Sequence, residues 1–188
     1  MNSDLTIATD RLILHTVLGP ECALLDESYS HQQLWLDRGF SDPIKYFENN
    51  KHPIKYRITQ VLENPDSAKY LLRVAVLKKD PIIIATAGFH SLPNENGMIE
   101  IGLGIEPAFQ GKGYAKESLQ AMWRWAVGFP EVKTLRYTVS PDNLPSIAVI
   151  NFFGFELKGQ QMDEIDGPED IYEMSAKNFS KRWGSNER

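Results

Sequence analysis

The chain has almost no cysteine, no long apolar run and no surplus of positive charge, and each lack removes a class of protein. Its one cysteine, Cys22, has no partner for an internal disulfide. Stability must then come from packing, and a reducing, cytoplasmic compartment is expected. No apolar stretch approaches the roughly 18 residues of a membrane-spanning helix, and the opening Met-Asn-Ser-Asp-Leu-Thr lacks the basic segment and apolar core of an export signal. Lys and Arg number 20 against 25 Asp and Glu, a net charge of −5. That balance argues against nucleic-acid binding, which is driven by clustered cations releasing counterions, and suits a cationic partner such as an amine. The histidines, His15, His31, His52 and His90, lie far apart without paired ligand spacing, so no metal site is expected.

What is present is an ordinary globular composition, 42% apolar and 24% charged, with no internal repeat, low-complexity tract or linker. At 188 residues the expectation is a single domain over 1–188, with a core over 9–176 and a flexible tail over 177–188. Arg11 to Thr16 alternates as a short strand. Pro20 followed by Ala23, Leu24 and Leu25 predicts a helix from about Glu21 to His31. Residues 35–51 mix aromatics with Gly39, Pro43 and Asn49-Asn50 and read as loop with at most a helical turn. Ile54, Ile58, Val61 and Leu62 form an i, i+4, i+7, i+8 stripe on a helix opened by Pro53.

A three-strand meander follows: Tyr70 to Leu77, Pro81 to His90 and Met98 to Ile105. In the third strand Ile99, Ile101, Leu103 and Ile105 share one face, and Met98, Glu100, Gly102 and Gly104 the other. The aliphatic face reads as the one under a helix. The opposite face carries a carboxylate and two glycines, bare backbone against which a ligand or a bulge could sit.

After this strand comes Gln110-Gly111-Lys112-Gly113-Tyr114-Ala115, then an amphipathic helix to about Phe129 with Ala115, Leu119, Met122 and Ala126 on its inner stripe. A strand, a glycine-containing turn and a helix make an anion site, because first-turn N–H groups lack intrahelical partners and carry the positive end of the dipole. Gly111 and Gly113 allow close backbone approach, Lys112 adds charge and Ala115 avoids crowding, so a phosphorylated ligand is expected. The turn is not a dinucleotide fingerprint, since Lys116 stands where the third glycine belongs, and nothing in the chain fits a Walker loop.

The pattern Gln110-x-x-Gly113-x-Ala115 resembles the acetyl-CoA pyrophosphate loop of the GNAT superfamily of N-acetyltransferases. Thr9-Asp10-Arg11-Leu12-Ile13-Leu14 resembles the opening strand of its RimJ/RimL-type subgroup, the ribosomal-protein N-terminal acetyltransferases. Glu100-Ile101-Gly102, Pro107, and Asn143-x-x-Ser146-Ile147-Ala148-Val149 leading into Gly154-Phe155 match that subgroup in the same order. The resemblance implies an α/β fold with a twisted, mostly antiparallel sheet of six to seven strands and helices on both faces. Its fourth and fifth strands, here Met98 to Ile105 and Thr134 to Val139, would splay to admit pantetheine. It implies that backbone at Leu103 and Ile105 pairs with pantetheine amides and that Gln110, Gly111, Lys112, Gly113, Tyr114 and Ala115 hold the pyrophosphate. Asn143 and Ser146 would approach the pantetheine or phosphate portion, although both are also good helix caps.

The implied reaction is acetyl transfer from acetyl-CoA to a primary amine, which must lose a proton to attack the thioester. Glu100 matches the strand glutamate that serves as base in several members and lies on the expected ligand face; a residue that only orients substrate or forms a salt bridge is the alternative. A strand N–H near Ile105 would stabilise the developing oxyanion. Many members carry a tyrosine acid before Gly-Phe, but here Ile150-Asn151-Phe152-Phe153 stands instead. Tyr137, Ser140 or water are then the proton sources for the thiolate, and a degenerate acyl-CoA-binding sensor or scaffold is a second functional class. Cys22, in an apolar helix far from the motifs, is expected to be a buried small hydrophobe rather than a nucleophile. The acceptor would be held by residues 20–66 and by the late hairpin near 159–170. Trp35, Phe40, Tyr46, Phe47 and Tyr56 either line a pocket or simply pack, and Asp163, Glu164, Asp166, Glu169 and Asp170 either attract a cation or form a solvated turn. A peptide N-terminus, aminoglycoside, polyamine or small amine all stay open, as do monomer and homodimer.

Overall fold

The computed structural model describes residues 5–164 and 167–184. Among the described residues eight strands, mostly antiparallel, and eight α-helices make a mixed α/β fold divided into two compact units, Met1–Leu92 with Leu103–Met122 and Pro93–Gly102 with Trp123–Arg188. Two elements pass from one unit to the other along the chain: β5, Met98–Ile105, and α6, Tyr114–Ala126.

In the first unit β1 (Thr6–Ala8), β2 (Leu12–Thr16), β3 (Arg73–Leu77) and β4 (Ile83–Phe89) lie side by side in chain order, antiparallel throughout. Alternation is clean in β2, where Leu12, Leu14 and Thr16 are buried and Ile13 and His15 half-buried. The central strands β3 and β4 are buried nearly end to end, as expected of strands covered on both faces. Over them α1 (Gly19–Glu27) packs on α4 (Lys51–Glu63), whose Ile54, Ile58 and Val61 are buried. Leu62, at the edge of that stripe, is 38% exposed.

The buried carboxylate of Glu21 ties α1 to its surroundings. It accepts from the Leu18 amide at 2.7 Å, from Arg38 Nε at 2.8 Å and pairs with His15 Nε2 at 3.0 Å. Burial alone would raise its pKa, but the bonds from His15 and Leu18, the charge of His15 and the Arg38 bond outweigh it, leaving the pKa below the ordinary carboxylate value.

In the second unit the opening of β5 pairs with β6 (Thr134–Val139), followed by β8 (Gly167–Ser175) and β7 (Glu156–Asp163) at the edge. The β5/β6 ladder is parallel and covers Met98, Ile99 and Glu100 against Thr134, Leu135 and Arg136. Helices α7 (Leu144–Phe153) and α8 (Ala176–Trp183) share an aromatic core with the last turn of α6. Trp123 lies 5.1 Å from Phe153, 4.6 Å from Phe155 and 5.8 Å from Phe179, ring centre to ring centre.

Several expectations are corrected. The strands number eight rather than six or seven, so the pair expected to splay is fifth and sixth; β1 is three residues long, too short to show alternation. The strand expected from Tyr70 begins at Arg73, because Tyr70 and Leu71 belong to α5 (Ala68–Leu71), and a fully buried apolar run carries no periodicity to separate helix from strand. The helix expected to reach His31 stops at Glu27, where Ser28 turns to extended backbone. The stretch read as loop holds α2 (Gln32–Asp37) and α3 (Tyr46–Asn49), the latter started by the Asp42 carboxylate accepting from the Tyr46 and Phe47 amides. The tail expected to be flexible from Lys177 is α8, capped by Ser175 on the Asn178 amide and anchored by fully buried Phe179. Residues 185–188 of that expectation lie outside the described residues.

Cys22 is fully buried in α1, and burial, reinforced by the charges of Glu21 and Asp26, pushes its thiol up to about 12. The folded protein is therefore expected to react with a disulfide reagent at pH 8 only as fast as it unfolds, and readily in denaturant. Immediate stoichiometric modification of the native chain would contradict this burial.

Candidate functional site

The residues expected to form the site divide between the units: Leu103, Ile105 and Gln110 to Ala115 lie in the first, Glu100, Asn143 and Ser146 in the second.

In the first unit the backbone leaves β5 through a 3-10 turn at Pro107–Phe109 and reverses at two glycines with left-handed dihedrals, Gly111 at φ 72° and Gly113 at φ 83°. An L side chain is strained there, which is why the turn needs glycine at both points. The Gln110 side chain staples the turn to the strand by donating to the Ile105 carbonyl at 3.0 Å. Lys112 is engaged at home: its ammonium donates to the Ala108 carbonyl at 2.8 Å and lies 5.1 Å from the Phe109 ring centre. Tyr114 and Ala115, both half-buried, begin α6.

Arg11, 101 positions before Lys112, holds this turn from outside. Glu117, in the first turn of α6, accepts from Thr9 Oγ1 at 2.6 Å, from the Arg11 amide at 2.8 Å and from Arg11 Nε at 2.7 Å. Burial would raise its pKa, but the bonds from Thr9 and Arg11 and the Arg11 charge prevail and hold it below the usual carboxylate value. Arg11 Nη1 also donates to the Lys112 carbonyl at 2.9 Å, and its guanidinium stacks 4.4 Å from the centre of Tyr114. Thr9 and Arg11 were legible as a motif; their partner Glu117 was not, since it reads as an outward-facing helix residue.

The glycine face of β5 is occupied at one point by the protein itself. Tyr46, buried in α3, donates its hydroxyl hydrogen to the Gly104 carbonyl at 2.8 Å and accepts from the Thr86 amide at 3.2 Å, with the Thr86 hydroxyl also 3.2 Å away. A Cβ on Gly104 would meet the Tyr46 oxygen at 2.8 Å. Gly104 thus makes room for a tyrosine hydroxyl. Of the five aromatics considered for an acceptor pocket, Trp35, Tyr46 and Phe47 are core, Phe40 sits edge-on to His15 at 5.5 Å, and Tyr56 is 54% exposed. Gly104→Ala is expected to lower stability by about 1–3 kcal/mol through overpacking, with Tyr46→Phe relieving part of the clash in the double variant. Additive losses in thermal unfolding would refute the contact.

In the second unit Glu100 is half-buried on β5 and accepts from Thr138 Oγ1 at 2.6 Å. Thr134, Arg136 and Thr138 alternate on the same face of β6 as Glu100, and Arg136 is paired with Glu173 at 2.6 Å. Thr138 is a neighbour of Glu100 that the sequence did not single out. The Asn143 carboxamide caps α7 by accepting from the Ser146 amide at 3.2 Å, so the capping reading holds. Ser146 bonds the phenol of buried Tyr137, whose pKa burial nonetheless raises. In the Ile150 to Phe153 stretch, which holds no tyrosine, Ile150 and Phe153 are fully buried. In the late hairpin, Gln161 donates to Glu169 and Gln160 to Asp170 across the strands. Asp166 of the acidic run lies outside the described residues. Among the described residues no group of three or more His, Cys, Asp or Glu could hold a metal, and no helix is long and apolar enough to cross a membrane.

Comparison with known proteins identifies the family. The acetyltransferase (GNAT) domain family matches residues 29–156. The uncharacterized N-acetyltransferase YjdG of Bacillus subtilis (strain 168) is 29% identical over 164 residues, 80% of this chain and 89% of its own. Among solved structures, RimL, a ribosomal alpha-N-protein acetyltransferase in complex with coenzyme A, superposes with a TM-score of 0.60 at 18% identity, covering 90% of this chain and 97% of its own. The microcin self-immunity acetyltransferase MccE, in complex with acetyl-CoA and AMP, gives 0.63 at 20% identity over 89% and 93%. With a family match over more than half its length, the chain belongs to the GNAT family of N-acetyltransferases.

Proposed function

We propose that the chain moves the acetyl group of acetyl-CoA to a primary amine, with both units working as one acetyltransferase domain. The observation that carries this reading is the Gln110 to Ala115 turn, where two left-handed glycines precede the first turn of α6. Amides at such a turn suit a diphosphate, because they point at the ligand at no conformational cost when it binds. Neighbours of the same fold hold coenzyme A or acetyl-CoA, which supports the same cosubstrate here. Leu103 and Ile105 would pair with its pantetheine arm, and Ser146 would approach it from the start of α7.

Bound there, acetyl-CoA supplies an acyl carbon activated as a thioester. The amine nitrogen forms a bond to that carbon, the carbon–sulfur bond breaks, and sulfur leaves with the bonding pair. The proton lost by nitrogen goes to Glu100, whose Oε1 is oriented by the Thr138 hydroxyl. Direct attack needs no covalent enzyme intermediate, in keeping with the inert Cys22. The acceptor is a peptide N-terminus or a small amine; RimL, an alpha-N-protein acetyltransferase, favours including peptides in the search, and the net charge of −5 favours a cation.

The test is thiol release from acetyl-CoA with a panel of N-terminal peptides, polyamines and aminoglycosides. Release above the amine-free rate for at least one class is expected. Tight binding of acetyl-CoA with no release for any amine would replace this reading with a sensor or scaffold.

A further inference from the structure

Arg11 lies outside the glycine turn in sequence, yet its guanidinium reaches that turn at the Lys112 carbonyl and the Tyr114 ring. We propose that Arg11 is an anion-binding residue of the acetyl-CoA site, holding the Gln110 to Ala115 turn in shape and offering its Nη2 group to a phosphate oxygen of the coenzyme. The inference rests on the reading of this turn as the diphosphate site.

The geometry of the guanidinium carries it. Nε is committed to Glu117 at 2.7 Å and Nη1 to the Lys112 carbonyl at 2.9 Å, while the plane stacks on Tyr114 at 4.4 Å. Three restraints fix a side chain that ordinarily loses much rotamer freedom on binding, so the cost of ordering it is met before any ligand arrives. Nη2 makes no hydrogen bond to the described residues, and a Cβ built on Gly113 would lie 3.3 Å from it. That places an uncommitted N–H donor at the left-handed glycine that opens the helix.

Electrostatics point the same way. Glu117 puts a carboxylate in the first turn of α6, where it would repel an anion drawn to the helix N-terminus. Arg11 neutralises that charge through a direct ion pair. The lysine within the turn does not take this place beside Glu117, since its ammonium is directed to the Ala108 carbonyl. A lysine at position 11 would not substitute either, because one ammonium cannot serve a carboxylate, a carbonyl and a phosphate in the fork geometry of a guanidinium.

The test is calorimetric titration with coenzyme A of the full chain and two variants. Arg11→Ala is expected to weaken binding about ten- to a hundredfold, the range for losing a charge-assisted bond and leaving a carboxylate uncompensated. Glu117→Gln keeps the guanidinium and an acceptor oxygen for its Nε while removing a repelling charge, so the two effects offset and binding is expected within about threefold of the parent. A merely structural Arg11 predicts the opposite, with both variants weakened alike, and that outcome overturns the proposal. So does an Arg11→Ala protein that binds within twofold of the parent. If Arg11→Ala does not fold, Arg11→Gln, which keeps a donor for Lys112 but no charge, must show the same tenfold weakening or the proposal fails. A parent protein that binds no coenzyme A overturns the reading of the turn itself, which separates the two failures.

Discussion

Replacing Glu100 by glutamine is expected to lower kcat at pH 7 by about two to four orders of magnitude while leaving the affinity for coenzyme A within about twofold. Glutamine keeps the size of the side chain and can still accept the hydrogen bond from Thr138, so what is lost is the capacity to take a proton. The pH profile gives the sharper readout. In the parent, the rate rises with pH as the carboxylate deprotonates and again as the amine does, near pH 8 for an α-amino group or about 10.4 for a lysine-like amine. In Glu100→Gln only the amine limb survives, so the deficit opens as the parent's carboxylate deprotonates and shrinks again as free amine accumulates. Thr138→Val, which removes the orienting donor but not the base, is expected to cost about tenfold with both limbs retained. A Glu100→Gln enzyme within threefold of the parent across the profile would relegate Glu100 to orienting substrate.

The largest effect on stability is expected at Trp123. Its side chain is fully buried, with the rings of Phe153, Phe155 and Phe179 between 4.6 and 5.8 Å from its own. Truncation to alanine removes the common neighbour of α7, α8 and the segment entering β7. A buried tryptophan lost to alanine costs about 3–5 kcal/mol, a large part of the ~5–15 kcal/mol that holds a domain folded. At about 2–4 °C per kcal/mol for a chain of this size, Tm falls by roughly 6–20 °C. Trp123→Phe should cost far less, because the indole N–H is buried without a hydrogen-bond partner and phenylalanine removes that unpaired donor along with part of the ring. Urea unfolding of the two variants checks the ranking. Equal midpoints for phenylalanine and alanine, or an alanine variant within 3 °C of the parent, would show that the cluster repacks around the gap.

Legibility followed physical range. Met98–Ile105 has in the structure the bounds its alternation predicted, Thr134–Val139 has those the resemblance implied, and Ile99 and Ile101 are buried on the face expected to pack. Alternation is a property of neighbouring residues, so a short window of sequence carries it. The segment from Gln32 to Asn50 was read poorly because its two helices are six and four residues long, too short to repeat a stripe, and are held by distant packing rather than by propensity. The C-terminal helix does not show in the sequence, because its fully buried anchor, Phe179, is surrounded there by charge.

For the site, the sequence by itself determined the turn: glycines at 111 and 113, a helix after them, and a carboxylate on the open face of the preceding strand. These follow from backbone sterics and side-chain period, which act over a few residues. Only the tertiary structure decided who serves them. Arg11 reaches Glu117 across 106 positions, Tyr46 reaches Gly104 across 58 and Thr138 reaches Glu100 across 38. A hydrogen bond selects its partner by distance and angle in space, and no local pattern in the chain encodes which remote residue will arrive within 3 Å.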